Sequence, residues 1–193
     1  EVTTIDDDAF NNCSKLLWVT IPESVIEIKS GAFRACDSLT NVTIPESVRI
    51  IGDEAFCRCY SLTQIEVSAS NVNYCSVDGV LFDKDKTVLI QYPAKKEDKT
   101  YSIPEGVTKI NDYAFCHCSG LTSITIPEEV TEIGDFTFEG CSALTNITIP
   151  ESVTEIGAYT FFDCSSLTNV TIPEGVTLIG YRSFEGCSSL TNI

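Results

Sequence analysis

The chain has 193 residues, 43 % of them apolar, and its 28 acidic side chains outnumber 12 basic ones to leave a net charge of −16. That apolar share supports a folded core, whereas a surface so acidic repels phosphate backbones and anionic headgroups, which excludes nucleic acid as an expected partner. No run approaches the roughly 20 apolar residues of a membrane-spanning helix, so direct membrane insertion is excluded too, and no charged head followed by an apolar stretch marks a leader. There is no Met, and Glu1 opens in the middle of a repeat, so the chain reads as a processed or excised piece of a longer one.

Self-similarity governs the rest, because a fixed period of about 20 to 50 residues outranks local fold signals. Ile-Pro recurs at Ile21-Pro22, Ile44-Pro45, Ile103-Pro104, Ile126-Pro127, Ile149-Pro150 and Ile172-Pro173, at intervals of 23 residues except for one of 59. The exception is 23 plus 36, with Glu66-Val67-Ser68 standing where Ile-Pro is missing, so one coil holds 36 residues. In the clearest unit, Leu144-Thr145-Asn146-Ile147-Thr148-Ile149 alternates as a half-buried strand does, and Pro150 ends it because proline has no N–H for a ladder. Val153 and Ile156 return the chain inward and Gly157 permits a turn. Phe161, Cys164 and Leu167, three residues apart, then predict one or two helical or 3₁₀ turns with one face inward. Such a unit buries its apolar set only by stacking on neighbours.

The motifs Leu-x-x-Ile/Val-x-Ile-Pro, Val-x-x-Ile-Gly and Ala/Thr-Phe-x-x-Cys-x-x-Leu, the last seen in Ala32-Phe33-Arg34-Ala35-Cys36-Asp37-Ser38-Leu39, run over essentially the whole chain. This pattern resembles the BspA-type leucine-rich repeats of bacterial and protist surface proteins. The resemblance implies a leucine-rich repeat solenoid: one array over residues 1–193, built of stacked short parallel strands, turns and short helical segments, with one β-hairpin insertion. Strands are expected near Val19, Val42, Ile65, Tyr101, Ile124, Ile147, Val170 and Ile193.

Along the chain, the first strands place Leu39, Val42 and Ile44 inward and Thr40, Asn41 and Thr43 outward. One outward row runs Trp18, Asn41, Gln64, Thr100, Ser123, Asn146 and Asn169, and another Thr20, Thr43, Glu66, Ser102, Thr125, Thr148 and Thr171. Thr and Asn suit such ladders by β-propensity and lateral hydrogen bonding. Trp18 departs from the row by putting a large aromatic where a small polar residue belongs, which suits an interface contact or packing beneath a further repeat. Glu23, Glu46, Glu105, Glu128, Glu151 and Glu174 form a row of turn glutamates; calcium wants six to eight oxygens in one place, and solvated side chains fit the row better. The Asn-x-Ser/Thr spacings at Asn12, Asn41, Asn146 and Asn169 are made by the repeat itself and say nothing of compartment.

The enlarged coil over 68–100 is the most individual stretch. Asp78-Gly79 is a turn signal, and Val80-Leu81-Phe82 followed by Val88-Leu89-Ile90-Gln91-Tyr92 predicts a β-hairpin near 80–92. It also carries Lys84, Lys86, Lys95, Lys96 and Lys99, five of the twelve basic residues, so it is either a recognition insert or a hairpin kept soluble by its lysines.

Of ten cysteines, Cys13, Cys36, Cys59, Cys118, Cys141, Cys164 and Cys187 each follow a phenylalanine by three residues and are expected as a buried column of free thiols. Cys57 and Cys116 hold equivalent slots on either side of the long coil, two coil spacings apart and so beyond the roughly 7 Å disulfide limit. Cys75 lies between them; a bridge from it to one of the two fits, as do three free thiols. The lone His117, between Cys116 and Cys118, reads as a surface histidine, since adjacent Cys-His-Cys side chains do not converge on one zinc ion. No motif for phosphate binding, nucleophilic catalysis or metal ligation is present, so no enzyme, cofactor or metal is expected.

What the resemblance implies is a secreted or cell-surface adhesion module that binds matrix proteins, glycoproteins or other cells. The candidate contact residues are Trp18, Asn41, Gln64, Glu66 and the five lysines of the enlarged coil. The rival expectation is a structural spacer or targeting arm for a catalytic or anchoring domain outside the segment.

Overall fold

The computed structural model describes residues 1–193 as sixteen short strands with no helix. In chain order they begin β1 (Thr4–Ile5), β2 (Glu27–Ile28), β3 (Asn41–Ile44), β4 (Ile50–Ile51) and β5 (Gln64–Val67). The enlarged coil adds β6 (Tyr74–Val77), β7 (Val80–Asp83) and β8 (Val88–Gln91). Then follow β9 (Thr100–Ser102), β10 (Lys109–Ile110), β11 (Ser123–Thr125), β12 (Glu132–Ile133), β13 (Asn146–Thr148), β14 (Glu155–Ile156), β15 (Asn169–Thr171) and β16 (Leu178–Ile179).

Two columns of parallel strands wind around the core. One holds the Leu-x-x-Ile-x-Ile strands, β3 with β5 and β9-β11-β13-β15 in that order. Its register follows the repeat: Asn41 faces Gln64 and Thr43 faces Glu66, and Asn146 faces Asn169. The second column, absent from the expected repeat strands, comes from the Val-x-x-Ile segments and, in the enlarged coil, from the hairpin strand β8, and contains β1-β2-β4, β8-β10-β12 and β14-β16. The segment around Val19 forms no strand, and near Ile193 there is only the bridge between Asn169 and Asn192.

The Phe-x-x-Cys-x-x-Leu segments are successive turns rather than helix. Cys36 N donates to Phe33 O and Leu39 N to Cys36 O, but Phe33 N and Ala35 N donate to Ala55 O and Cys57 O of the next coil. Left-handed residues at Ala35, Arg58, His117 and Asp163, with φ between 53 and 60°, break the helical path and turn these N–H groups along the solenoid axis. Within each run of regular coils, one coil is thereby hydrogen-bonded to the next at its corner as well as through its strands.

The thiol column completes that corner. Cys36, Cys59, Cys141 and Cys164 are buried, and each sulfur donates to the carbonyl of the aromatic residue one coil back: Phe10, Phe33, Phe115 and Phe138, at 3.1 to 3.2 Å. The phenyl rings stack beside them, with centroids 5.2 Å apart for Phe10 and Phe33 and 5.3 Å for Phe138 and Phe161.

The enlarged coil divides the interior. β6 and β7 are antiparallel around the Asp78-Gly79 turn, and β7 is antiparallel to β8, so the insertion has three strands rather than two. The Asp78-Gly79 turn reaches the edge of β5, where Gly79 O accepts from Ile65 N, and β5 therefore does not pair with β9. Val80, Leu81 and Phe82 are all fully buried. Because side chains alternate across a strand, Leu81 joins the N-terminal core with Val42 and Ile65, while Val80 and Phe82 join the C-terminal core with Phe115 and Ile124. β7 is a partition wall.

Candidate functional site

On the first strand column, Trp18, Asn41, Gln64 and Glu66 are exposed on successive coils. Thr40 N donates to Leu17 O, which ties the Trp18 segment to β3, and Gln64 Nε2 donates to Glu66 Oε1 at 3.3 Å. Trp18 is 68 % exposed beside Leu17 at 60 %. The lysines divide into two groups. Lys84 and Lys86 sit before β8, Lys84 donating from Nζ to Asn71 O, and Lys95, Lys96 and Lys99 follow it, Lys96 pairing with Asp98. β8 has four residues, or about 13 Å at strand spacing, so the five charges make no single patch. Farther along, Asn192 Nδ2 donates to Asn169 Oδ1 at 2.9 Å and Asn169 Nδ2 to Asn146 Oδ1 at 3.4 Å, the lateral ladder that like side chains in register make.

The corner of the enlarged coil is shorter than its neighbours. Between Leu89 and Tyr92 stand Ile90 and Gln91, where the next coil has Asn111, Asp112, Tyr113 and Ala114 between Ile110 and Phe115. With two residues fewer, this corner does not reach out, and the corners before and after it close over the gap. Cys57 and Cys116 accordingly form a disulfide with Cα atoms 5.9 Å apart. This corrects the expectation that two full coil spacings separate them. Cys75 is a free thiol whose sulfur donates to Asp83 O.

Other contacts span the same gap. Arg58 Nη2 donates to Glu139 Oε1 at 2.8 Å across 81 residues of sequence, Tyr60 packs edge-on to His117 with ring centroids 5.3 Å apart, and Asn111 Nδ2 donates to Asp53 Oδ1 at 3.4 Å. The phenylalanine stack is interrupted here: Tyr92 continues it onto Phe115, whereas Phe56 stacks only on Phe33. His117 is not a surface histidine. Its side chain is 25 % exposed, and its Nε2 is buried with no hydrogen-bond partner. Burial, above all, lowers its pKa, against the opposing pull of the Glu139 carboxylate. Cys118 points away into the core, donating toward Tyr92 O, while Cys116, His117 and Glu139 bring their donor atoms within 4.8 Å of one another. Glu139 and Arg58 were invisible as partners in the sequence; the signal was the pair of residues missing between Leu89 and Tyr92.

These features define a repeat protein of the parallel solenoid class, with an exposed strand face and no deep apolar cleft. The profile of the BspA type leucine rich repeat region matches residues 1–87 and 92–193 in six copies, and the chain belongs to that family. Among solved structures, the pneumococcal vaccine antigen PcpA superposes with a TM-score of 0.92 at 31 % identity, over 98 % of this chain and 47 % of that one. A leucine rich cell surface protein of Faecalibacterium prausnitzii A2-165 superposes with a TM-score of 0.74 at 33 % identity, over 100 % of this chain and 57 % of that one. The chain thus spans about half the length of each. No curated protein matches it significantly. No helix is long and apolar enough to cross a membrane.

Proposed function

We propose that the array is a non-catalytic protein-binding module, secreted or displayed at the cell surface, that adheres to matrix proteins, glycoproteins or other cells. The observation that carries this reading is the strand face, where Asn41, Gln64 and Glu66 stand exposed on a backbone fixed by the parallel pairing of β3 with β5, and Trp18 stands exposed on the preceding segment, tied to β3 through Thr40 N and Leu17 O. A rigid row of side chains loses little freedom on binding, and tryptophan is the residue most enriched at interface hot spots. Similarity to a cell surface protein and a vaccine antigen supports an exposed location. The ligand we expect is a protein or glycoprotein rather than nucleic acid, because the net charge of −16 opposes phosphate. The lysines flanking β8 would add two small basic contacts beside this face. No cofactor enters the reading.

The test is a binding titration of the array against a panel of matrix proteins and glycoproteins, run beside Trp18→Ala and a variant with Lys84, Lys86, Lys95, Lys96 and Lys99 neutralised. Saturable binding weakened by Trp18→Ala by about 2 kcal/mol or more, the size of a hot-spot loss, at unchanged thermal stability supports the face. An absence of binding across the panel by the folded array contradicts adhesion and favours a spacer role for neighbouring domains.

A further inference from the structure

The shortened corner gathers more chemistry than a structural staple needs. Two sulfurs, an imidazole nitrogen without a partner and a buried carboxylate meet there, supplied by three different coils: Cys57 from one, Cys116 and His117 from the next full coil, and Glu139 from the one after. Tetrahedral zinc, with Zn–S near 2.3 Å and Zn–N or Zn–O near 2.0–2.2 Å, requires donor pairs about 3.3–3.8 Å apart. Glu139 Oε2 lies 3.7 Å from Cys116 Sγ, and His117 Nε2 lies 3.7 Å from Glu139 Oε1. The set of Cys116, His117 and Glu139 fits within 4.8 Å, so about 1 Å of side-chain adjustment closes it around an ion. Cys57 is held beside them by the same fold that places its Cα 5.9 Å from that of Cys116.

We propose that Cys57, Cys116, His117 and Glu139 form a zinc site when the Cys57–Cys116 disulfide is reduced, so that the corner is closed by a disulfide or by a metal ion, never both. The donor set selects the metal: two thiolates with an imidazole suit zinc and exclude calcium and magnesium, which take all-oxygen shells. The conversion balances without a further reactant. A dithiol reductant supplies two electrons and two protons, the S–S bond of the protein breaks, and the reductant closes to its own disulfide. Zinc then displaces the two thiol protons to solvent. The ion with two thiolates, one carboxylate and a neutral imidazole carries a net charge of −1, and Arg58, donating to Glu139 Oε1 at 2.8 Å, cancels it from the outer shell. Gly140 leaves the imidazole its place, since a Cβ there would lie 2.2 Å from His117 Nδ1.

The experiment uses the whole chain, reduced with a phosphine under anaerobic conditions, and titrates Zn²⁺ against a chromophoric chelator, with the oxidised chain as control. The expected result is one equivalent bound by the reduced chain and none at comparable strength by the oxidised one. Affinity falls by roughly 100-fold or more for His117→Gln and Glu139→Gln and by about 10-fold for Arg58→Gln, an outer-shell loss. Folding of each variant is verified in the oxidised state, where the disulfide is intact. Zinc also shields Cys57 and Cys116, and no other thiol, from alkylation. Binding that is equal in the oxidised chain, binding indifferent to His117→Gln and Glu139→Gln, protection of the ladder cysteines instead, or no binding at all overturns the proposal.

Discussion

The ladder thiols from Cys36 onward donate to an aromatic carbonyl one coil back, which at Phe10, Phe33, Phe115, Phe138 and Phe161 also accepts a backbone N–H of its own turn, so cysteine here does the work of a small apolar residue and of a weak hydrogen-bond donor at once. Burial raises the thiol of Cys36 to about 11 and that of Cys59 to about 12. Raised pKa values mean that the folded state holds its thiol protons after the unfolded chain has lost them. Stability from this source is therefore complete below about pH 8.5 and declines as pH rises through 9 toward 11 and 12. A denaturation series should show that fall, and Cys36→Ala with Cys59→Ala should lessen it, leaving the part due to the buried thiols of Cys118, Cys141 and Cys164. At neutral pH, iodoacetamide should modify exposed Cys13 in minutes and leave Cys36, Cys59 and Cys141 unmodified in the folded chain. The glycine of the Val-x-x-Ile-Gly motif answers a different constraint. A Cβ at Gly52 would lie 2.5 Å from Ser30 N and 2.8 Å from Lys29 C, backbone atoms of the coil before. Gly52→Ala should cost about 1–3 kcal/mol, as overpacking does, read as a lower denaturation midpoint. Asn111 occupies the same slot after the shortened corner, and its side chain reaches Asp53 across the gap.

At the scale of elements, the insertion is what the repeat cannot describe. Its strand β7 sends Leu81 into one core and Phe82 into the other, so the two neighbours in sequence should report on different halves. Leu81→Ala should raise hydrogen exchange in β3 and β5, and Phe82→Ala in β9 and β11, each at a cost of about 2–5 kcal/mol. Equal effects on both halves from either change would contradict the partition. The period made the strands, their inward residues and the thiol column readable, because each followed from one position repeated along the chain. The turns were harder. Phe, Cys and Leu at three-residue spacing fit a 3₁₀ segment and a run of turns equally, and the left-handed position that decides between them carries glycine only at Gly140 and Gly186, with Ala35, Arg58, His117 and Asp163 in the same slot elsewhere. The second strand column was hidden because two-residue strands such as Glu155–Ile156 leave no alternation to see. The corner contacts between Arg58 and Glu139 and between Cys57 and Cys116 depended on a deletion within one coil, a difference in length that counting coils as equal steps conceals.

For the whole molecule, one coil is enlarged where its hairpin enters the interior and shortened at its corner, and both departures act together. The hairpin parts the strand column between β5 and β9, and the short corner lets the coils on either side rejoin through Cys57 and Cys116. Closing a loop of 59 residues should stabilise the fold by about 4 kcal/mol in the chain-entropy account. Cys57→Ser with Cys116→Ser should lower the unfolding free energy accordingly while leaving the strand face, and any ligand bound there, in place. That rejoining is the claim on which the architecture, the cost of reduction and the metal site all depend. Its most direct test is peptide mapping by mass spectrometry of the non-reduced chain, with free thiols alkylated after unfolding. The account predicts a single linked pair, Cys57 with Cys116, and free thiols at Cys75 and along the ladder; Cys75 linked to either, or Cys57 and Cys116 both free under oxidising conditions, would contradict it.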